Sequence, residues 1–342
     1  MSIHNDSLRV GVLFCLAICC SVVEADDVPT KTSGSPSYRW DIKSLETYRG
    51  EEEVDAAYWL GFKYEHGHEV IPNEAEALSW YQVAAEGGHL PAMIELVDAY
   101  TSMLYRDDPE AYAQGIQWLE AAADADSVVA MRRLAEIYAW GSTFSQDLVD
   151  LTRAKRLLGQ ARELGGVQSV RMLANLTNQS AEDHQDEAAA LALYEEAAEL
   201  GDAASMLILA RHYGYADKDN KARIDGPVAL AWLERAADLG HDGAMSLLAE
   251  WYLRGHHVDV NIDKALFWLD RLIESSDSRI IRRAAMYRHG VVSHDLGGER
   301  DEQAIRYLRH AAKEGHAGAM ELLGRIYDFG EGVDEDDALA YF

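Results

Sequence analysis

Hydrophobic positions along the chain recur at spacings of three and four, most clearly in Asp225 to Gly255, DGPVALAWLERAADLGHDGAMSLLAEWYLRG. Ala229, Trp232, Leu233 and Ala236 share one helical face, and Ala244, Met245, Leu248 and Tyr252 share a second. The pattern predicts two amphipathic helices joined by a short turn. Pro227 suits the first helical position, where a missing N–H costs nothing. Gly240 ends the first helix as a residue able to take positive φ, and Asp242 is the expected cap of the second. Two helices of this length cannot close a core alone, so copies have to stack on one another.

The copies are found by sliding the first Ala of AADLGH along the chain. It falls at Ala84, Ala122, Ala161, Ala197, Ala236, Leu272 and Ala311, at intervals of 36 to 39 residues. Seven positions earlier stand Ala77, Gly115, Ala154, Ala190, Ala229, Ala265 and Ala304, all small. Eight positions later stand Ala92, Ala130, Ser169, Ser205, Ala244, Ile280 and Ala319; twelve later stand Leu96, Leu134, Leu173, Leu209, Leu248, Ala284 and Leu323. Small residues let helix backbones approach, and Leu fills the space beside them. The pattern runs without a strand-period segment or an interior linker from Val54 onward, which predicts one continuous all-α domain over residues 54–342.

Ahead of the repeats, residues 1–25 read as a secretory signal peptide: Arg9, an apolar run from Gly11 to Val23, and a cleavage site at Val23-Glu24-Ala25. The apolar run is short for a membrane span, so no stable membrane insertion is expected after cleavage; a retained anchor is the alternative. Leu16-Ala17-Ile18 before Cys19 resembles a lipobox, but Ile18 is not the small residue that acylation wants. Cys15, Cys19 and Cys20 all lie in this segment, so the processed chain has no thiol and no disulfide framework. Residues 26–53, rich in Pro, Ser, Gly and Thr at their start, read as a flexible tether with a short lead-in helix from Trp40 to Arg49. The longest irregular pieces within the repeats are expected at Gly214–Gly226 and Gly290–Arg300.

Charge narrows the partners. The formal net charge is −28, which disfavours nucleic acid and anionic membranes. Sites for chemistry are scarce: there is no HExxH, no G-x-S-x-G, no Walker-type loop and no cysteine nucleophile after processing. The reading is therefore a non-enzyme with no cofactor. His66/His68, His256/His257 and His289/His294 are placed in turns after second-type helices; pairs without carboxylates in fixed geometry make poor metal sites. His89, His241 and His316 recur just after the terminating Gly, which indicates capping and packing. Trp80, Trp118, Trp232 and Trp268 share one register and are read as core. Asn175-Leu-Thr177 and Asn178-Gln-Ser180 form glycosylation sequons that matter only in a eukaryotic secretory pathway.

The segments Ala77-Leu-Ser-Trp80-Tyr-Gln-Val-Ala84-Ala85-Glu-Gly-Gly88-His89 and Ala319-Met-Glu-Leu-Leu323-Gly324-Arg-Ile-Tyr327 resemble the Sel1-like repeat family, relatives of the tetratricopeptide repeat. The resemblance covers residues 54–342. It implies an α/α right-handed superhelix, here of about seven helix pairs and a partial C-terminal one, used as a protein-interaction scaffold. It extends to secreted bacterial members, among them scaffolds of exopolysaccharide export and periplasmic regulators of sensor kinases, so the expected location is periplasmic or secreted. Two departures stand out. The Leu272 copy carries Leu and Ile where Ala is usual, with Ile280 at a small position, and a local kink is expected there. The last stretch, Ala338-Leu-Ala-Tyr-Phe342, stops before the next Ala pair and leaves an apolar face to be covered by a partner or by further chain.

Positions 10, 14 and 17 after each anchor point away from the core of the second helix, and the resemblance places such a face on the inner, concave surface. They include Arg132, Glu136, Arg171, Asn175, Arg211, Ser246, Glu250, Arg282, Met286, Glu321 and Arg325. Five arginines in a strongly acidic chain admit two readings. They pair with neighbouring carboxylates, each exposed pair worth about 0–1 kcal/mol, or they line a groove for an acidic peptide or a polyanionic polysaccharide.

Overall fold

A computed structural model describes residues 37, 39–47, 53–101, 108–141, 148–179, 184–215 and 224–330. The expected signal peptide, most of the tether, part of the Gly214–Gly226 piece and the last twelve residues lie outside the described ones. Among the described residues there are sixteen α-helices and no strand. The chain divides into two compact units, the first ending at Leu148 and the second beginning at Val149.

The first unit holds α1 (Ile42–Thr47), α2 (Glu53–His66), α3 (Glu74–Glu86), α4 (Leu90–Tyr100), α5 (Pro109–Asp124) and α6 (Val128–Trp140). Here α1 packs on α2, and its Leu45 is buried with Ala56 and Leu60 beside Trp40, Trp59 and Trp80. The second unit holds α7 (Leu151–Glu163), α8 (Val167–Gln179), α9 (His184–Glu199), α10 (Ala203–Gly214), α11 (Gly226–Asp238), α12 (Asp242–Arg254), α13 (Ile262–Ser275), α14 (Arg279–Leu296), α15 (Asp301–Lys313) and α16 (Ala317–Phe329). In each unit consecutive helices pack antiparallel. The more extensive pairings are α2 with α3, α4 with α5, α8 with α9, α10 with α11, α12 with α13 and α14 with α15. The Asp225–Gly255 segment, α11 plus α12, therefore joins halves of two successive pairs. The structural unit is the other hairpin.

The repeat register is the packing register. Ala84, Ala122, Ala161, Ala197, Ala236 and Ala311 are all 0 % exposed. Ala77, Ala154, Ala190, Ala229, Ala265 and Ala304 are buried seven residues before them, and Leu96, Leu134, Leu209 and Leu248 are buried twelve after them. A methyl side chain at the anchor lets three helices meet without a void, and the leucines fill the layer between.

The same anchor alanines close the turns. The N–H of the fifth residue onward returns to the anchor carbonyl, as from His89 to Ala84 at 3.0 Å, Asp202 to Ala197 at 2.9 Å and His241 to Ala236 at 3.1 Å. This wrap needs one residue at positive φ, which Gly240 supplies at φ 83°. Where the repeat lacks that glycine, Asp126 takes the position at φ 63°. The next residue caps the following helix. His89, Ser127, Asp202, His241 and His316 each accept from the N–H three residues on. The cap of α12 is thus His241 rather than Asp242, which is already the first helical residue.

The Leu272 copy departs in a way that repeat spacing did not predict. Its turn, Ser276-Asp277-Ser278, contains one extra residue, and Ser278 becomes the cap of α14. One residue rotates the helix register by about 100°. Ile280 is consequently 71 % exposed rather than wedged at a small position, and Ala285 takes the buried place of Leu248. The helix also runs on to Leu296, so the expected irregular piece from Gly290 is helical, and His289 and His294 lie within α14 rather than in a turn. The tryptophans need correction too. Trp268 is buried, but Trp80, Trp118 and Trp232 are only half-buried, and Arg235 lies over the Trp232 ring at 4.5 Å.

Candidate protein-binding face

The second helix of each repeat presents positions 10 and 14 beside its buried positions 8, 9 and 12. In the first unit Arg132 and Glu136 lie on α6 and pair with each other at 3.2 Å. In the second unit Arg171 on α8 reaches Asp202 at 2.9 Å, and Asp202 is the cap of α10. Asn175 accepts from the Tyr194 hydroxyl at 2.7 Å. Glu250 on α12 pairs with Arg254 at 3.0 Å. Arg211 on α10 and Arg325 on α16 are exposed, as is Glu321. The extra residue before α14 moves Arg282 and Met286 off this face. Arg282 donates to the Ser276 carbonyl at 3.0 Å, and Met286 is buried. Their places are taken by Arg283, which donates to the Glu314 carbonyl at 2.9 Å, and by Tyr287, whose ring stacks on His316 at 4.2 Å. Pairing with the protein itself therefore accounts for Arg132, Arg171 and Arg282.

Within each unit recurs a tyrosine pairing, a ladder in the second unit, that pattern-reading missed, because each tyrosine in it counted only as an apolar position. The residue sixteen after one anchor donates its hydroxyl to the residue two before the same anchor. Tyr138 reaches Glu120 at 3.0 Å, Tyr213 reaches Glu195 at 2.9 Å and Tyr252 reaches Glu234 at 3.3 Å. In the α15–α16 pair the polarity is reversed, and Arg309 donates to the Tyr327 hydroxyl. A Tyr and a Glu recurring at that spacing were the available signal. Ion pairs between successive first-type helices add a second ladder: Arg162 with Glu196, Arg235 with Glu199 and Arg271 with Asp238.

The capping histidine of α4 is held on both sides. The His89 Nδ1 accepts from the Ala92 N–H at 3.2 Å, so its Nε2–H faces Asp55 at 3.4 Å, and its ring stacks on Tyr58 at 4.5 Å. Burial lowers its pKa to about 4. In the same unit burial, reinforced by Glu65 and Asp98, pushes the Glu95 carboxyl up to about 7. Glu65 itself accepts from the Tyr81 hydroxyl at 2.6 Å, and burial with this bond raises the phenol's pKa. His256 and His257 both aim Nε2 at the Gly214 carbonyl, at 3.2 and 2.6 Å, while His66 and His68 stack on Phe62. Among the described residues no group of three or more His, Cys, Asp or Glu is placed to hold a metal, and no helix is long and apolar enough to cross a membrane.

The Sel1 repeat model matches residues 54–89, 104–127, 128–166, 184–202, 203–241, 243–277, 283–316 and 317–342, more than half of the chain. The chain belongs to the Sel1 repeat family. The matched segment 203–241 spans α10 and α11, the hairpin that the packing defines. This Sel1 chain is similar in fold to a protective antigen of uropathogenic Escherichia coli strains, with a TM-score of 0.63 and 22 % identity over 88 % of this chain and 62 % of the antigen. It thus spans less than two thirds of the antigen's length. It is also similar to a Sel1 repeat protein of Oxalobacter formigenes, with a TM-score of 0.54 and 22 % identity over 67 % of this chain and 91 % of that one. A comparison with curated proteins gave no match. Sel1 repeat proteins generally mediate protein–protein interaction, and their scaffolds are typically non-enzymatic.

Proposed function

We propose that this Sel1 chain is a non-catalytic adaptor of the bacterial cell envelope, exported by residues 1–25, that captures a protein partner along the second-helix face. One observation supports this reading. Positions 0, 8 and 12 of the repeat keep small residues and Leu, whereas positions 10 and 14 change from repeat to repeat. They read Arg132/Glu136, Arg171/Asn175, Ser246/Glu250 and Glu321/Arg325, while in the α10 repeat Leu207 at position 10 is buried and Arg211 at position 14 is exposed. A face whose side chains differ from repeat to repeat over a repeating core offers a partner a distinct set of contacts at each step.

Arg211 and Arg325 are the arginines of the stripe left exposed, and they are the positions through which an acidic segment of the partner is bound. The partner belongs to an exopolysaccharide-export assembly or to a sensor-kinase pathway. A second reading, a polyanionic polysaccharide as the ligand, draws on the same two guanidinium groups. Capture of cross-linked partner from envelope extracts tests both. Arg211→Glu with Arg325→Glu abolishes capture at unchanged helicity, and soluble polyuronate fails to displace the partner. Undiminished capture by the double variant contradicts the assignment, and displacement by polyuronate moves it to the second reading. Arg171→Glu is a poor probe, because it removes the ion pair to the α10 cap.

A further inference from the structure

The tyrosine ladder has one rung of different chemistry. After the extra turn residue, the ladder position of α14 is occupied by His289, which is 1 % exposed. Its Nε2 lies 3.2 Å from Asp270 Oδ1, at the place where other repeats carry the accepting Glu. Its Nδ1 lies 3.2 Å from the Ser293 hydroxyl, itself buried. Asp270 also accepts from the Tyr307 hydroxyl at 2.7 Å, and the Tyr307 ring lies 4.3 Å from the imidazole. One carboxylate on α13 thus ties down α14 and α15 together.

Space around the ring is tight. A Cβ on the adjacent Gly290 would come within 2.6 Å of Leu308 on α15, so α14 and α15 touch with no slack. The neutral ring satisfies both partners: Nε2–H donates to Asp270, and Nδ1 accepts from Ser293. A second ring proton forces Ser293 to give up that donation and puts a positive charge on a buried ring. The charged groups acting on the ring are Asp270 from α13, which favours the cation, and Arg300 from the short 3-10 turn Gly298–Arg300, which opposes it. Arg300 is in turn paired with Asp263 of α13 at 2.8 Å. From α15 comes the Tyr307 phenol, with Arg306 lying 5.4 Å from the centre of that ring. Burial outweighs Asp270, and the imidazole pKa lies below its ordinary 6.5.

We propose that His289 is an acid-responsive latch: its protonation on mild acidification releases the α14–α15 hairpin from α13. The neutral ring keeps the hairpin closed above pH 6.5, the ordinary imidazole value reached in the open state. Below that pH the open state binds the proton first. The opening equilibrium then rises by up to tenfold per pH unit until the closed state also takes up the proton.

Hydrogen–deuterium exchange on the full chain, corrected for the pH dependence of intrinsic exchange, measures the opening of α14 and α15 between pH 8 and pH 5. Wild type is expected to show a rise in α14–α15 opening of up to tenfold per unit below pH 6.5. His289→Gln, which keeps a donor to Asp270 and does not titrate, and His289→Tyr, which restores the ladder residue, are expected to be flat. The comparison isolates His289 from His316, whose own pKa is lowered by burial. An unchanged pH slope in the folded variants overturns the proposal. Should neither variant fold, an NMR titration of wild type decides: a His289 resonance titrating at or above pH 6.5 overturns the latch, and one titrating below it supports the latch.

Discussion

Ala236→Leu is the most direct perturbation of the repeat register. Ala236 is 0 % exposed, its carbonyl closes the turn with His241, and it sits in the core cluster with Leu209, Leu233 and Leu248. Adding three carbons where no void exists forces off-rotamer side chains or moves α11, at about 1–3 kcal/mol. For a unit of this size 1 kcal/mol shifts Tm by roughly 2–4 °C, so the variant should melt roughly 2–12 °C below wild type. Ala231→Leu is the control. It makes the same change five residues earlier on the same helix, at an exposed position, and should move Tm by no more than ~2 °C. Glu234 is unsuitable as that control, because it holds the Tyr252 hydroxyl. Calorimetry at pH 7.5 reads both variants. Equal melting temperatures would refute the register, and with it the claim that Ala84, Ala122, Ala197 and Ala311 do the same work in their repeats.

Further outcomes follow from the same geometry. Gly159→Ala should stabilise the second unit by about 0.5–1 kcal/mol in chemical denaturation, since Gly159 is inside α7 and an added Cβ meets nothing within 4 Å. Tyr252→Phe should cost roughly 0.5–1.5 kcal/mol for each of the two bonds its hydroxyl makes, to Glu234 and from Lys264, with no additional loss when Glu234→Gln is added; additive losses would dissolve the ladder. In the first unit two titrations oppose each other. His89, lowered from 6.5 to about 4, lends stability that is complete above pH 6.5 and lost as pH falls toward 4. Glu95, raised from 4.5 to about 7, lends stability that is complete below pH 4.5 and lost as pH rises through 7. Glu95→Gln should therefore unmask a stability that rises with pH from 4 to 6.5, and His89→Asn one that falls from pH 4.5 to 7. Urea midpoints across that range check the two signs.

What the sequence made legible was whatever recurs. Alanines at positions −7, 0 and 8 are small because helices touch there, and His89, His241 and His316 recur because each closes a helix N-terminus. What stayed hidden depended on pairs. The Tyr252 hydroxyl and the Glu234 carboxylate belong to neighbouring helices and to different classes of an apolar–polar pattern, so periodicity scored one and ignored the other. The displacement of Arg282 and Met286 came from a single residue added in the turn before α14, which preserves the spacing between anchors but rotates the helix beyond it. Arg171 admitted both pairing and partner binding, and Asp202, its partner, was legible only as a turn residue.

Site-specific photo-cross-linking tests the central claim, that a protein partner is read by the second-helix face. A cross-linking amino acid is placed singly at Arg211, Glu250 and Arg325, and at the exposed first-helix positions Ala231 and Phe267. The account predicts partner adducts from the first three positions and none from the last two. Adducts from Ala231 or Phe267, with none from Arg211, Glu250 and Arg325, would contradict it.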